Sequence, residues 1–281
     1  MTAPEPTLRV KVDLTNPGQF FACCGLLELA HRLDRNALGW FDVGCFNLTR
    51  APADLICQFL ECNAEPIGLT DNDGESEADD SEKGEDKTVP IQLAAPFDLR
   101  LDWWNSDAAQ HDKLKTWSAG KKVTDLLNGK TTVRKTKKGE TSYSPSMRDH
   151  LKESVSKNPG DWLRVAEVIE SPKAFGYDSR LSRNNALDLG YVGNSAMAFS
   201  PAVEVLSLVG LQRFRPWVIV TWSRNRYCTW RQPLSVDIAA VAALGVIPQF
   251  IDNCFEFPIK PRDAQGRYKL FGHAQPVRRS P

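Results

Sequence analysis

A chain of 281 residues can bury a sizeable core without disulfide or metal staples. Its 42% hydrophobic and 25% charged residues are the composition of a folded globular protein, and 35 Lys and Arg balance 35 Asp and Glu, so net charge selects no partner. "MTAPEPTLRVKVDL" has no positive region followed by an apolar core, and the early apolar run Phe20 to Leu29 is interrupted by Glu28 and far shorter than the ~20 residues of a membrane span, so the expectation is a cytoplasmic protein with no membrane partner.

In chain order, "LRVKVDL" (8–14) alternates strictly and predicts a half-buried strand. A helix should follow. Asn16 is placed to cap it, Pro17 suits the first helical position, and Gln19 stands where a capping box puts its returning side chain. Cys23, Leu26, Leu27, Ala30 and Leu33 then recur at helical spacing and predict one buried face, with His31 on the polar side. A strand around "GWFDVGCFNLT" and a short helix around "PADLICQFLECN" come next. Residues 70–88 hold nine acids between Asp71 and Asp86 and no large apolar residue, the composition of a disordered loop. "FDLRLDWW" alternates again. Residues 113–148 then carry ten Lys and Arg against two acids, and Lys130 to Ser142 reads as a mobile hairpin or loop. "ESPKAFGYDSRLSRNNALDLGY" has the turn chemistry of an ordered loop. "SPAVEVLSLVGLQRF" predicts a buried helix, "PWVIVTWSRNRYCTWRQPL" two strands joined near Ser223 to Asn225, "SVDIAAVAALG" a short helix and "GRYKLFG" a late strand. The fold class is α+β, with β-α-β units, a mixed or antiparallel sheet and core helices, forming a single domain or two closely packed halves (about 1–110 and 150–281).

Both long apolar helices open on a cap and a proline and carry a mid-helix Gly-Leu pair, Gly25-Leu26 and Gly210-Leu211. A chance likeness and a duplicated β-α-β unit both fit. Each glycine should admit close approach of another element, because glycine costs a helix interior about 1 kcal/mol.

The residues for chemistry are sparse. The seven cysteines form no C-x-x-C pair, so all are expected to be reduced and structural, and no metal or cofactor is expected. None of His31, His111, His150 and His273 sits in a known catalytic pattern. His150 and His273 are the first candidates if a metal-free ribonuclease is hidden here. What rises above background is basic and aromatic. Leu211 to Arg231 holds five arginines and no acid, interleaved with Phe214, Trp217, Trp222, Tyr227 and Trp230; guanidiniums suit phosphates and rings suit bases. The competing reading is a hairpin with its aromatics in the core and its arginines in water. A third basic section spans 260–279.

"VDLTNPGQFFACCGLLELAHRL", "LRLDWW" with "LKTWSAGKK", "FGYDSRLSRNNALDLGY", "SPAVEVLSLVGLQRFRP" and "GRYKLFG", in this order, resemble the third member of the Csb series of CRISPR-associated proteins, from type I-U (I-G) systems. The resemblance implies a non-catalytic subunit of an RNA-guided interference complex whose partners are CRISPR guide RNA, target DNA and other Cas subunits. It leaves open a large-subunit-like role and a ferredoxin-like (RAMP-like) one. The residues expected to contact nucleic acid are Lys121, Lys122, Arg134, Lys135, Lys137, Lys138, Arg180, Arg183, Arg213, Arg215, Arg224 and Arg226, with Trp222 and Tyr227 stacking on bases. The alternatives are a metal-independent endoribonuclease maturing guide RNA and a scaffold that touches only protein.

Overall fold

The alternation that opens the chain ends sooner than its pattern suggests. In the computed structural model, which describes residues 4–67, 90–102, 123–133, 141–169, 174–182, 197–220, 223–261 and 269–277, strand β1 covers Leu8–Lys11. Asp13 then draws the chain into a turn, its carboxylate accepting from the Thr15 N–H at 2.9 Å and hydroxyl at 2.7 Å. Helix α1 (Pro17–Leu33) starts as predicted, Asn16 Oδ1 accepting from the Gly18 N–H at 3.1 Å. Gln19 reaches past the capping-box position and accepts from the Asp13 N–H at 2.7 Å.

The next predicted strand is two, β2 (Leu38–Asp42) and β3 (Cys45–Leu48), folded back at Val43 and Gly44 with φ of 36° and 70°. Such a turn needs positive φ at both central residues, and valine there hides the signal. Helix α2 (Leu55–Glu61) follows, then the antiparallel set β4 (Ala64–Pro66), β5 (Ile91–Leu93) and β6 (Leu99–Leu101). The acidic stretch joins β4 to β5 at a point where Ile67 N–H donates to Pro90 O at 2.7 Å; residues 68–89 lie outside the described residues, as do Trp103 and Trp104. Within the basic segment stand α3 (Val123–Asn128) and the hairpin β7 (Lys130–Val133) and β8 (Thr141–Ser144). Helix α4 (Met147–Lys157) begins on a Ser146–Asp149 capping box. Then come the antiparallel pair β9 (Glu167–Ile169) and β10 (Met197–Phe199), helix α5 (Pro201–Gly210), the hairpin β11 (Trp217–Val220) and β12 (Arg224–Trp230), β13 (Leu234–Ser235), helix α6 (Val236–Ala243), β14 (Ile251–Phe257), β15 (Ile259–Pro261), β16 (Lys269–Phe271) and β17 (Gln275–Val277).

The structure is α+β, with several small antiparallel sheets. One sheet runs β1-β3-β2-β13, so β1 and β2 are parallel with β3 between them, antiparallel to both, and α1 crosses from one to the other. Its fourth strand comes from late in the chain: Leu234 pairs with Gly39, and the Trp230 indole N–H donates to Gly39 O at 2.7 Å. A second sheet runs β11-β12-β14-β17. One apolar cluster spans Val10 to Ala274. Among the described residues no helix is long and apolar enough to cross a membrane.

The single buried face expected for α1 is corrected, since every residue from Pro17 to His31 is buried. Two layers cover the helix. On one side Phe20 stacks on Phe41 of β2 with ring centroids 5.4 Å apart, and on the other α5 crosses it. At the crossing Gly25 and Gly210 bring backbone against backbone, so the close approach expected of each glycine is supplied by the other helix. Glu28, 1% exposed, is tolerated because Arg213 and Arg32 both bind its carboxylate and hold it below the usual range against the opposing effect of burial.

The expectation that all seven cysteines are reduced is also corrected. Cys228 and Cys254 stand opposite each other on β12 and β14, Cα atoms 4.1 Å apart, and are joined by a disulfide. Cys23, Cys24 and Cys62 are buried free thiols, and burial pushes all three up in pKa.

Candidate nucleic-acid interface

Eight of the residues expected at an interface, Lys121, Lys122, Arg134, Lys135, Lys137, Lys138, Arg183 and Trp222, lie outside the described residues. The other six separate into buried and exposed groups. Tyr227 is corrected: it is 1% exposed, stacks on Phe20 (4.3 Å) and Phe255 (5.4 Å), and donates its hydroxyl to Leu14 O at 2.5 Å. A base cannot reach that ring. Arg213 is bound to Glu28 at 2.5 Å and to Asp237 at 2.6 Å, so its charge is spent inside the protein. Arg180 is likewise committed, to the buried Asp178 carboxylate and the Arg164 carbonyl. Arg148, counted among the basic residues of 113–148, is buried and donates to the Phe59 and Cys62 carbonyls at the end of α2, a cation at a helix C-terminus.

Arg224, Arg226 and Arg215 remain on the surface. Strand period 2 puts Arg224 and Arg226 on one face of β12 and Asn225 and Tyr227 on the other, against the core. The two guanidiniums converge on one carboxylate: Arg224 lies 3.0 Å from Glu256 and Arg226 2.5 Å, holding Glu256 below the usual carboxylate range although its partial burial pushes the other way. Two cations share one anion, so this face keeps a positive charge in excess.

The register extends the face across the whole sheet. Trp217 is opposite Arg226, Arg226 opposite Glu256, and Glu256 opposite Gln275, one row over β11, β12, β14 and β17; Val220 is opposite Arg224 in the row beside it. Trp217 is 49% exposed and was not among the expected site residues. A register shift between Val218 and Val220 puts it there: continued unbroken from Val220 opposite Arg224, the ladder would set Trp217 opposite Tyr227 on the core face, so alternation and turn position do not signal it.

A second polar group lies inside. Asp178 accepts from Asn16 Nδ2 at 2.8 Å, from the Ser200 N–H at 2.8 Å and from Arg180, and so joins the N-caps of α1 and α5. Glu204 accepts from the Asp178 N–H at 2.7 Å and the Gly176 N–H at 2.8 Å; burial pushes it up to about 7 against the pull of these donors. Ser179 Oγ is 3.2 Å from His273 Nδ1, a nucleophile-to-base distance, but Ser179 is fully buried and no substrate reaches it. His150 is different, lining a cleft of about 600 Å³ with Glu153, Lys157 and Glu167. His111 lies outside the described residues, and among those described no cluster of His, Cys, Asp and Glu could hold a metal ion.

Comparison with protein-family models, with curated proteins and with solved structures found no match.

Proposed function

We propose that this chain is a non-catalytic subunit of a type I-U CRISPR RNA-guided interference complex, working in the cytoplasm, where it holds guide RNA or target DNA by backbone phosphates and packs against neighbouring Cas subunits. The observation that carries the reading is the pair Arg224, exposed, and Arg226, half-buried, on one face of β12 and sharing the single carboxylate of Glu256. A phosphate oxygen supplies the second anion that such a pair lacks, and guanidiniums bind it with two parallel hydrogen bonds. The ordered blocks of sequence support the family. The β1-β3-β2 order with α1 crossing resembles the opening of a ferredoxin-like unit and supports the RAMP-like role over the large-subunit-like one, although the fourth strand, β13, lies beside β2 and not beside β1.

Charge reversal at both arginines tests this. The Arg224→Glu, Arg226→Glu protein should bind guide RNA more weakly at low salt, and the slope of log affinity against log salt should flatten by about 1.4, two lost phosphate contacts on a single strand. An unchanged slope would assign both side chains to solvated surface.

The endoribonuclease reading has one observation in its favour: His150 and Lys157 lie seven residues apart on one side of α4 and line the same open cleft. Cleavage of a repeat transcript in chelator, lost in His150→Ala, would establish it.

A further inference from the structure

We propose that the outer face of the β11-β12-β14-β17 sheet is a single-strand site in which a nucleobase stacks on Trp217 while the adjoining phosphate sits on Arg226 and Arg224. The proposal rests on the nucleic-acid reading above and names its substrate class. Its grounds are the register and the exposure. Trp217 and Arg226 are direct cross-strand partners, so ring and guanidinium stand on one face, about 5 Å apart between strands. Half of Trp217 faces solvent, although a tryptophan has more apolar area to bury than any other side chain. Arg224, one row along on the same face, continues the positive track in the strand direction.

The face is wrong for a protein. Among the described residues its exposed large apolar side chains are Trp217 and Val220, and they sit on one edge beside Arg224, Arg226, Glu256 and Gln275. A protein-binding centre is depleted in charge and rich in apolar contact. A nucleotide asks for what is here, one flat ring and one local excess of positive charge. It also asks for a single strand, because a paired and stacked base does not offer its face to a side chain. Glu256 fixes the geometry. It binds each guanidinium through Nε and Nη2, which leaves the Nη1 donors of both for a phosphate, and it limits the net charge so that the ring contributes a large part of the affinity.

The test uses the full chain, a short fluorescent oligouridylate and a duplex of the same length. The wild type should bind the single strand more tightly than the duplex, and binding of unlabelled oligouridylate should quench tryptophan fluorescence. Trp217→Ala should bind the single strand about five- to a hundred-fold more weakly, the range for one lost base–aromatic stack, and bind the duplex unchanged. Trp217→Phe should keep most of the affinity and lose the quench, a split that a merely structural role would not produce. Trp217→Ala binding like the wild type would overturn the stacking site; loss of a co-purifying subunit in that same variant would reassign the edge to protein contact. If Trp217→Ala binds like the wild type while the Arg224→Glu, Arg226→Glu variant still weakens both ligands, the stacking site alone has failed and the phosphate contacts stand. If neither ligand binds the wild type at low salt, the nucleic-acid reading fails with it.

Discussion

The crossing of α1 and α5 makes a quantitative prediction for Gly25→Ala and Gly210→Ala. A Cβ built on Gly25 lies 2.1 Å from Leu206 O, and one on Gly210 lies 2.1 Å from Phe21 O and 2.8 Å from Gly25 N. A carbon resting on a carbonyl oxygen needs about 3.3 Å, so either alanine must push the helices apart by about 1.2 Å. The neighbours are backbone atoms and cannot rotate away. A gap of that size forfeits a quarter to a half of each dispersion contact along the interface, and overpacking of this kind costs about 3 kcal/mol or more. Alanine's higher helix propensity returns about 1 kcal/mol. The net loss expected is therefore about 2 kcal/mol or more for each variant. Urea unfolding of the full chain measures it, with Gly44→Ala as the reference: there a Cβ meets nothing within 4 Å and only the φ of +70° is charged against it, about 1 kcal/mol. The double alanine variant should be less destabilised than the sum of the singles, because one displacement relieves both clashes. Neutral or stabilised single variants would refute the backbone contact and leave only propensity at work.

Glu204 makes a pH prediction. Its folded pKa of about 7 lies above the ordinary 4.5, so the folded state binds the proton more tightly, and stability falls as pH rises from about 4.5 through 7. Relative to Glu204→Gln, measured in the same buffers so that other groups cancel, the wild type should lose about 3 kcal/mol across that interval; a difference independent of pH would mean that folding leaves the proton affinity of this carboxylate unchanged. The disulfide predicts a thiol count. The denatured, unreduced chain should titrate five thiols of its seven cysteines, and seven would show that Cys228 and Cys254 are unbonded. Reducing the 26-residue link should lower the unfolding free energy by about 3 kcal/mol, and an unchanged denaturation curve would argue against a structural part for it.

Local chemistry was legible and long-range chemistry was not. Asn16, Pro17 and Ser200 announced their helices because capping acts within a few residues. The hairpin β11-β12 followed from alternation and turn position. Strand β14 left little local trace, and the burial of α1 on both sides depends on α5, whose residues come about 180 positions later. The basic count misled for a related reason. A tally of arginines does not distinguish Arg213, whose partner Glu28 is 185 residues away, from Arg224, which faces water. For Tyr227 the information was present: once Arg224 and Arg226 are assigned to solvent, period 2 sends Tyr227 to the core, so one strand cannot offer both to the same ligand.

The same logic explains "FGYDSRL", the stretch richest in chemistry-bearing residues. Its Asp178 faces the first turns of both α1 and α5, where free N–H groups and aligned peptide dipoles favour an anion, and Arg180 balances the charge. Gly176, at a φ of +98°, lets the loop pass so close to β16 that a Cβ would lie 2.6 Å from Lys269 O. Removing Asp178 would leave the Ser200 N–H and the Asn16 amide without this partner in a place water does not reach, at a cost of about 1 to 3 kcal/mol for each group. A polar loop this committed to joining two helices has no side chain left over for a ligand. Among the described residues the side chains of the row from Trp217 to Gln275 are hydrogen-bonded within the fold through Glu256, and that difference in commitment, rather than polarity, distinguishes the candidate site from the framework.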